Sequence, residues 1–408
     1  MTIPDPPLPA PGPRFKSVDV LRGFDMFWII GGAGIARALG KMDQNAVTSF
    51  IVGQLTHKDW EGLHFYDVIY PLFLFLIGFS IVFSIDKHRG EQSRAATVLR
   101  ILRRGLLLFV FGFVYHGGLA AKWPEVRFSG VLQMIAVCYV ISAMIYLYFG
   151  PNWRRMAGTA AGLLAAYWAL LTFAPFPDVV LDRATLDGLA VQAGSKEPAA
   201  ILGVVPGRQS GKYEAGYNFS NFVDYRYLPG KKANVYYESQ GILSPLGATI
   251  ICLGGILAAL WLRREDILPK RKAAWLAAAG VAAVGAGLLW SLQFPLVKKL
   301  WTSSFCLVTS GISALMLAGF YLVVDIWRYD RWCAPFLWLG MNSLTIYLGY
   351  ELIRFERISE RLIGADLRAY LDVHLARGAG ALLQSLVGLG LALALVRFLY
   401  KRRIFLRV

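Results

Sequence analysis

Apolar runs of about 20 residues recur along the whole chain, and this feature constrains the fold more than any other. A helix needs roughly that many mostly apolar residues to cross the hydrocarbon core of a bilayer. Only 17% of the residues are charged, whereas a soluble domain usually has about 25%. We therefore predict an all-α fold, a polytopic transmembrane helix bundle of about ten spans. The predicted spans are 18–40, 66–86, 105–121, 129–149, 157–174, 241–262, 273–293, 304–326, 334–353 and 381–400.

Clusters of Lys and Arg indicate which ends of the spans share one side of the membrane. The formal net charge is +16, and the basic residues gather before the first span, after the second, in alternate later loops and after the last span. Cytoplasmic loops carry an excess of Lys and Arg. We therefore predict that both termini are cytoplasmic, with residues 1–16 as a cytoplasmic tail and residues 17–408 as one transmembrane domain. The clusters lack zinc-finger and RNA-binding signatures, and we predict no nucleic-acid partner.

The opposite side carries the polar segment around His57 and a large loop at 175–240, between spans five and six. A loop of that length seldom serves only as a connection. We expect this extracytoplasmic loop to fold over the outer mouth of the bundle as a lid or binding surface.

Small side chains within the spans are predicted to serve packing. Glycines at helical spacing favour close helix approach, and we expect it at Gly158 with Gly162 and along the series Gly280, Gly285 and Gly287. The four cysteines lie in or beside apolar spans without a CxxC pair, and we interpret them as packing residues. We predict no metal site, and the sequence has no P-loop, GxGxxG or HExxH motif.

The best candidate for chemistry is His57, in a polar, aromatic segment just before the second span. Imidazole can act as a nucleophile or general base near neutral pH, and ionisable groups at a membrane edge are candidates for function. The plain alternative is a solvated or hydrogen-bonded loop histidine. Asp67 is suited to orient the imidazole or simply to stabilise a helix N-terminus. Both interpretations stay open.

Charged residues also enter the first span at its cytoplasmic end. Asp19, Arg22 and Asp25 lie within two helical turns, and such a group can neutralise itself. Arg22 is alternatively suited to bind a phosphate-bearing ligand.

Scattered polar residues form a third group of candidates. Each polar group in an apolar helix needs a partner, so a polar residue there either ties helices together or contacts a substrate. The residues are Gln133, Asp224, Glu238, Asn342 and Glu351.

Six sequence blocks follow one another along the chain: RFKSVDVLRG; HKDWEGL with YDVIYPLFLFLIGFS; RFSGVLQMIAVCYV; YESQGILSPLGATIICLGGILA; LWTSSFCLVTSGISALML; and LGMNSLTIYLGYE. Together, from about residue 14 to residue 353, they resemble the catalytic domain of the heparan-alpha-glucosaminide N-acetyltransferase family and its bacterial relatives. These membrane enzymes move an acetyl group from cytosolic acetyl-CoA to a glucosamine on the far side.

The resemblance implies a transmembrane acyltransferase with acetyl-CoA as donor. The family's catalytic histidine lies in an H-x-x-W-x-G-L context, which matches His57. It implies that His57 either becomes acetylated or acts as a base toward an amine in a ternary complex, with Asp67 orienting it. On this reading the candidates for binding CoA are Arg22, Arg100, Arg103, Arg104 and Gln133. The candidates for binding the acceptor are Trp60, Asp224, Glu238, Asn342 and Glu351. The family forms dimers, which makes a homodimer an expectation here.

The sequence departs from the family pattern at three places. Ala33 replaces an asparagine of the first span, Tyr350 replaces a histidine, and a D-P-E-G motif reads E-S-Q-G at 238–241. Because these positions lie on or near the acceptor side, the resemblance does not carry over heparan sulfate as the acceptor. We expect an amino sugar of a bacterial envelope glycan instead, and an inner-membrane location. Two other classes stay open. A transporter or flippase of a glycan or lipid-linked substrate would use the same intramembrane charges without an acyl donor, and in a non-catalytic scaffold His57 would be incidental.

Overall fold

Hydrocarbon offers no water to an exposed backbone, so spanning segments fold as helices whose N–H and C=O groups bond within the segment. The computed structural model has this form throughout its apolar runs, and the prediction of an all-α polytopic bundle is confirmed. It describes residues 15–42, 45–88 and 92–406. Residues 1–14, most of the predicted tail, lie outside the described residues.

The helices follow one another as long rods with shorter pieces between them. In chain order they are α1 (Lys16–Phe27), α2 (Ala33–Met42), α3 (Ala46–Gln54), α4 (Phe65–Asp86), α5 (Arg94–Tyr115), α6 (Val131–Phe149), α7 (Trp153–Phe173), α8 (Arg183–Ala193), α9 (Pro198–Gly203), α10 (Phe219–Tyr227), α11 (Ser244–Leu262), α12 (Pro269–Ser291), α13 (Ser303–Phe320), α14 (Ala334–Met341), α15 (Ser343–Ile353), α16 (Phe355–Ile363), α17 (Ala365–His374) and α18 (Ala379–Lys401). Two π-helical segments extend this set, Trp28–Gly32 between α1 and α2, and Tyr321–Ile326 after α13.

All ten predicted spans fall on helical segments. Within the described ranges, seven helices are long and apolar enough to cross a membrane: α4, α6, α7, α11, α12, α13 with its π-helical extension, and α18. The first predicted span is divided by the segment Trp28–Gly32, and the ninth is divided at Asn342, between α14 and α15. The chain is therefore a membrane protein whose helices include broken ones.

The third predicted span is displaced along the chain. The sequence predicts 105–121, whereas α5 begins at Arg94 and ends at Tyr115. The helix starts earlier because the Ser93 hydroxyl accepts a hydrogen bond from the Ala96 N–H at 3.2 Å, a side-chain cap. The arginines that interrupt the apolar pattern are themselves good helix formers.

Helix α11 is buried along its length and packs against α4, α6, α7 and α13. Its contact with α4 is unusually close. A methyl group added to Gly78 of α4 would overlap the carbonyl oxygen of Cys252, and one added to Gly255 of α11 would overlap that of Phe75. Small residues on both helices thus let the two backbones touch, as in many membrane proteins.

Two further helix pairs approach in the same way. Gly23 of α1 and Gly340 of α14 each lie against the backbone of the other helix, and Gly280 of α12 faces Gly311 of α13.

The predicted packing of glycines is right at Gly280 and Gly287 but wrong elsewhere. Gly158, Gly162 and Gly285 have open space around their Cα atoms among the described residues. Helices α7 and α12, which carry these three glycines, are the least buried of the seven candidate spans. A small residue there faces the outside of the bundle, and the spacing pattern alone does not report which face a helix buries.

Polar contacts tie together the helix ends at the basic side of the bundle. The Asp325 carboxylate accepts hydrogen bonds from the backbone N–H of Lys16, at 3.1 Å, and from the Ser17 hydroxyl. The Asp86 carboxylate, at the end of α4, pairs with Arg263 and accepts a hydrogen bond from the Tyr146 hydroxyl. Helix ends that the basic clusters place on one side therefore do meet.

The large loop folds into a small unit at the other end of the bundle. It contains α8, α9, α10 and two antiparallel ribbons: β1 (Phe176–Pro177) pairs with β2 (Arg208–Gln209), and β3 (Tyr213–Glu214) pairs with β4 (Tyr217–Asn218). Its own apolar cluster consists of Val179, Leu181, Leu186, Ile201, Leu202 and Tyr225. The loop is thus a packed cap.

The close approach of α4 and α11 predicts a strong effect of one methyl group. Gly78→Ala should destabilise the protein by roughly 1–3 kcal/mol or more, because the added methyl group meets backbone, which cannot move aside. Gly158→Ala is the matched control, and it should be neutral or stabilising, since alanine favours a helix over glycine. Thermal unfolding in detergent measures both, and equal melting temperatures for the two variants would contradict the packing described for α4 and α11.

Candidate active site

A buried carboxylate at the start of α4 organises the site. Asp67 lies in the first turn of the helix, and its Oδ2 accepts hydrogen bonds from the backbone N–H groups of His64 and Lys58, each at 3.1 Å. The side chain is fully buried. A carboxylate is stable at a helix N-terminus because the peptide dipoles point their positive ends toward it. These bonds also fold the segment that precedes the helix back over its first turn.

The other oxygen of this carboxylate faces two basic side chains. The Nδ1 atom of His57 lies 2.9 Å from Asp67 Oδ1, and the Nζ atom of Lys298 lies 3.1 Å from the same oxygen. Lys298 Nζ is also 3.0 Å from His57 Nδ1. The three groups therefore form a closed triangle, in which a lysine from the turn before α13 meets a histidine some 240 residues earlier in the chain.

The triangle leaves the far side of the imidazole free to react. When Nδ1 carries the proton and donates it to Asp67, Nε2 has a lone pair and can act as a base or nucleophile. The His57 side chain is 54% exposed and packs beside the Tyr66 ring, with centroids 4.8 Å apart. A fixed, partly exposed imidazole backed by a carboxylate is suited to acyl transfer.

Burial changes the pKa of the lysine in this triangle. The Lys298 side chain is 17% exposed, and desolvation lowers the pKa of its ammonium group while the Asp67 carboxylate opposes that effect.

A cavity of about 740 Å³ leads from His57 into the bundle. Residues of α4 line it at helical spacing: Tyr66, Ile69, Tyr70, Phe73, Ile77 and Ser80. From the first to the last of these the helix rises by about 20 Å. The cavity therefore extends over most of the length of this span, with an apolar, aromatic middle.

Basic residues occupy both ends of the cavity. His57, Lys58, Lys298 and Lys299 lie at one end, and Arg22 and Arg104 at the other. Among the described residues that line it, none is Asp or Glu. Both ends are thus suited to negatively charged groups.

The candidates for binding CoA divide into two kinds. Arg22 and Arg104 line the cavity: Arg22 donates to the Ser80 hydroxyl at 2.8 Å, and the Arg104 guanidinium lies 4.6 Å from the Tyr139 ring centroid. Arg100 and Arg103 do not line it. Arg100 donates to Gln92 at 3.0 Å, and Arg103 is exposed.

Gln133 is buried beside the cavity without lining it. Both polar atoms of its amide lack a hydrogen-bond partner among the described residues.

Two acceptor-side candidates support the wall of the cavity. The Asp224 carboxylate accepts hydrogen bonds from the backbone N–H groups of Ile242, at 2.9 Å, and Glu238, at 3.3 Å. The Glu238 carboxylate pairs with Arg127 at 3.0 Å. Ser239 and Gln240, which line the cavity, lie between these anchors. Asp224 and Glu238 therefore shape the wall from behind.

Trp60 lies beside the mouth of the cavity. Its indole N–H donates to the carbonyl oxygen of Tyr213 at 2.7 Å, which joins the His57 segment to the cap. The Lys299 ammonium lies 5.8 Å from the Trp60 ring centroid.

Asn342 and Glu351 lie outside the cavity lining. Asn342 is buried at the break between α14 and α15, where its amide donates to the Trp338 carbonyl at 3.2 Å. The Glu351 side chain is 41% exposed, and its carboxylate lies 3.7 Å from Arg354. The neighbours of Asn342, Met341 and Ser343, do line the cavity.

The departures from the family pattern also have defined places. Ala33 is buried in α2. Tyr350 lines the cavity, and its hydroxyl donates to Glu356 at 2.7 Å.

Lys298 is the residue that sequence reasoning missed. One signal was available, because Lys298 and Lys299 follow the seventh span on the side opposite to the basic clusters that set the predicted orientation. Among the described residues, no three His, Cys, Asp or Glu side chains group closely enough to hold a metal ion. The expectation of a metal-free protein stays a prediction.

Comparison with known proteins gives two kinds of match. A family model described as "Domain of unknown function (DUF5009)" matches residues 14–181. Human (Homo sapiens) heparan-alpha-glucosaminide N-acetyltransferase is 27% identical over 385 residues, which are 85% of this chain and 54% of that protein. The mouse (Mus musculus) protein of the same name is 25% identical over 395 residues, 86% of this chain and 56% of that protein.

The chain spans about half the length of the curated relatives it matches. It is a distant homologue of proteins named heparan-alpha-glucosaminide N-acetyltransferase. The family-model match includes His57 and Asp67 and ends before Lys298.

The anchor behind the cavity wall predicts a pH dependence of stability. Burial raises the pKa of Asp224 to about 7, above its usual value near 4, although two backbone N–H groups bond to it. Between these two pH values the folded protein holds a proton that the unfolded chain has lost, so the free energy of unfolding falls as the pH rises. Asp224→Asn should remove this contribution. The melting temperature should fall from pH 5 to pH 8 in the wild type, and it should fall less over the same range in Asp224→Asn.

The exposed Asp187 of the same cap supplies the control for this measurement. Asp187→Asn should keep the pH dependence of the wild type. Parallel curves for the wild type and Asp224→Asn would mean that Asp224 is charged in the folded protein at pH 5.

Proposed function

We propose that the protein is a transmembrane acyltransferase that moves an acetyl group from cytosolic acetyl-CoA to an amine, that of an amino sugar, on the extracytoplasmic side. The observation that carries the proposal is the cavity, which connects the His57–Asp67–Lys298 triangle at one end to Arg22 and Arg104 at the other. A donor whose phosphates bind at Arg22 and Arg104 can thereby present its acyl group to the imidazole without leaving the protein.

The two ends of acetyl-CoA fit the two ends of this cavity. Its phosphates are suited to the guanidinium groups of Arg22 and Arg104, which bind phosphate through charge-assisted hydrogen bonds. Its pantetheine arm is long and narrow and suits the apolar middle that α4 lines. The thioester then lies toward His57.

The chemistry at His57 follows one of two courses. As a base, Nε2 takes a proton from the amine while the amine nitrogen attacks the thioester carbonyl. The C–N bond forms and the C–S bond breaks. The imidazolium then gives its proton to the thiolate of CoA. As a nucleophile, Nε2 attacks the thioester carbonyl, the C–S bond breaks, and CoA leaves as the thiolate. The amine then attacks the acetyl-imidazole, the bond between the acetyl carbon and Nε2 breaks, and the proton lost by the amine passes to the CoA thiolate. In both courses Asp67 holds the ring and stabilises the positive charge that develops on it.

The acceptor would bind between the His57 segment and the cap. Ser239 and Gln240 line this end of the cavity, and Asp224 and Glu238 hold them in place. Trp60 joins the His57 segment to the cap through Tyr213. Hydroxyl-rich sugars bind to such combinations of polar and aromatic groups.

The basic clusters set the proposed orientation. The end of the bundle that carries Arg22 and Arg104 would face the cytoplasm with both termini, by the excess of Lys and Arg there. The location would be the bacterial inner membrane, with the acceptor in the cell envelope.

A transporter or flippase is the second candidate, and the length of the cavity is the observation that favours it. Such a protein would pass its substrate along the cavity and would have no affinity for an acyl donor. Acetyl-CoA binding therefore separates the two functions.

The proposal predicts a specific loss in His57→Ala. Acetyl transfer to an amino-sugar acceptor should fall by about 10²–10⁴-fold, the usual contribution of a catalytic base, while acetyl-CoA binding persists. Release of CoA thiol from purified protein in detergent measures transfer. His374→Ala, which changes an exposed histidine of α17, should behave as the wild type. Undiminished transfer in His57→Ala would remove His57 from the mechanism.

The donor end predicts a contrast between two arginines one position apart. Arg104→Gln should weaken acetyl-CoA binding roughly tenfold or more, the cost of losing a charged hydrogen bond. Arg103→Gln should leave binding unchanged, because Arg103 lies outside the cavity. Titration calorimetry measures both. Equal effects of the two substitutions would place the CoA phosphates elsewhere.

A further inference from the structure

Lys298 has no role in the chemistry described so far, although it touches both members of the catalytic pair. We propose that Lys298 is a positioning residue that keeps the His57 imidazole neutral by competing with it for the Asp67 carboxylate. The inference deepens the proposed function and rests on it for its catalytic meaning. It implies that Lys298 governs the pH range in which His57 can accept a proton or an acyl group.

The position of Lys298 is built into the fold at several points. The turn Lys298–Leu300 is clamped to the His57 segment, since the Gly62 N–H donates to the Leu296 carbonyl at 2.8 Å and Glu61 forms a β-bridge with Val297. On its other side, the Thr302 hydroxyl accepts from the Val297 N–H at 3.1 Å and donates to the Pro295 carbonyl at 2.8 Å. The ammonium group is therefore held in place, unlike that of a surface lysine.

A carboxylate beside a histidine has two effects on such a reaction: it stabilises the positive charge that develops on the ring, and it also favours the imidazolium form before the reaction begins. An imidazole paired only with a buried aspartate is stabilised as imidazolium, and imidazolium has no lone pair with which to act as base or nucleophile. A second cation 3.0 Å from Nδ1 opposes that protonation. It also shares Oδ1 of Asp67, so part of the carboxylate charge is already neutralised.

Other charged or titratable groups around the triangle do not supply this balance. Lys58 and Lys299 line the same end of the cavity, and Lys299 acts electrostatically on Lys298, but neither side chain has a described contact with Asp67. Asp59 and Glu61 belong to the His57 segment and are exposed.

On the remaining sides, the neighbours of His57 and Asp67 are aromatic rings or polar groups that are hydrogen-bonded to other residues. Tyr66 packs beside the imidazole, and Arg37 acts electrostatically on Tyr66. The ring of His64 bonds to the Thr56 carbonyl at 3.0 Å, and Tyr350 bonds to Glu356. Lys298 is thus the cation that faces Asp67 and His57 together within the described part of the chain.

The test measures the protonation of His57 directly. Full-length protein in detergent is treated with diethylpyrocarbonate between pH 5 and pH 9, since this reagent modifies an imidazole only in its neutral form. The modification rate of the His57 peptide is followed by mass spectrometry. In Lys298→Met the midpoint should move to higher pH by about one unit or more, since Asp67 then acts unopposed. Lys298→Arg, which keeps the charge, should restore a midpoint near that of the wild type.

Lys299→Met is the matched control, because Lys299 is the adjacent lysine of the same cavity. It should leave the midpoint unchanged. If Lys298→Met does not fold, Lys298→Gln replaces it, and the midpoint should again move to higher pH because this side chain is also uncharged. An unmoved midpoint in the uncharged Lys298 variant that folds would overturn the proposal.

Acetyl transfer, where it occurs, supplies a second readout. The acidic limb of its rate profile should move upward with the modification midpoint in Lys298→Met, whereas a purely structural role would lower the rate at every pH without moving the limb. The two proposals fail separately. A shifted midpoint in a protein that binds no acetyl-CoA would support the role of Lys298 and end the acyltransferase proposal. Acetyl transfer with an unmoved midpoint would support the acyltransferase and overturn the role of Lys298.

Discussion

The site depends on one buried charge, the carboxylate of Asp67. A carboxylate without water is costly unless it is paired and hydrogen-bonded, and this one takes its partners from two distant parts of the chain. Backbone N–H groups of Lys58 and His64 bond to one oxygen, and His57 and Lys298 share the other. Satisfying this charge therefore brings together the segment before α4, the first turn of α4 and the turn before α13. The imidazole is fixed as part of the same arrangement.

Close helix packing holds the cavity beside that site. Glycines let α4 and α11 touch along one face of α4, through Gly78 and Gly255, while the face from Tyr66 to Ser80 lines the cavity. One helix thus carries the Asp67 carboxylate at its start, the cavity wall on one side and a backbone contact on another. The broken spans serve the same end, since the residues that flank the break at Asn342 also line the cavity.

Much of the fold was predictable because lipid permits few solutions. Each of the ten predicted spans falls on helix, and the helix ends assigned to the basic side meet through Asp86 and Asp325. The errors have definite causes. Helix α5 starts earlier than predicted because Ser93 caps it and because arginine has a high helix propensity. The outward glycines of α7 were predicted to pack because spacing does not report which face a helix buries.

The sequence by itself determined the class of protein, the positions of its helices, and His57 and Asp67 as candidates, because these follow from hydropathy, charge placement and local spacing. Only the tertiary structure decided which polar groups meet. Arg104 lines the cavity and Arg103 does not, although they are neighbours in the chain. Asp224 and Glu238 support a wall from behind, and Lys298 reaches His57 across 241 residues. Long-range contacts of this kind depend on how helices rotate and pack, and a single sequence carries no direct signal of that rotation.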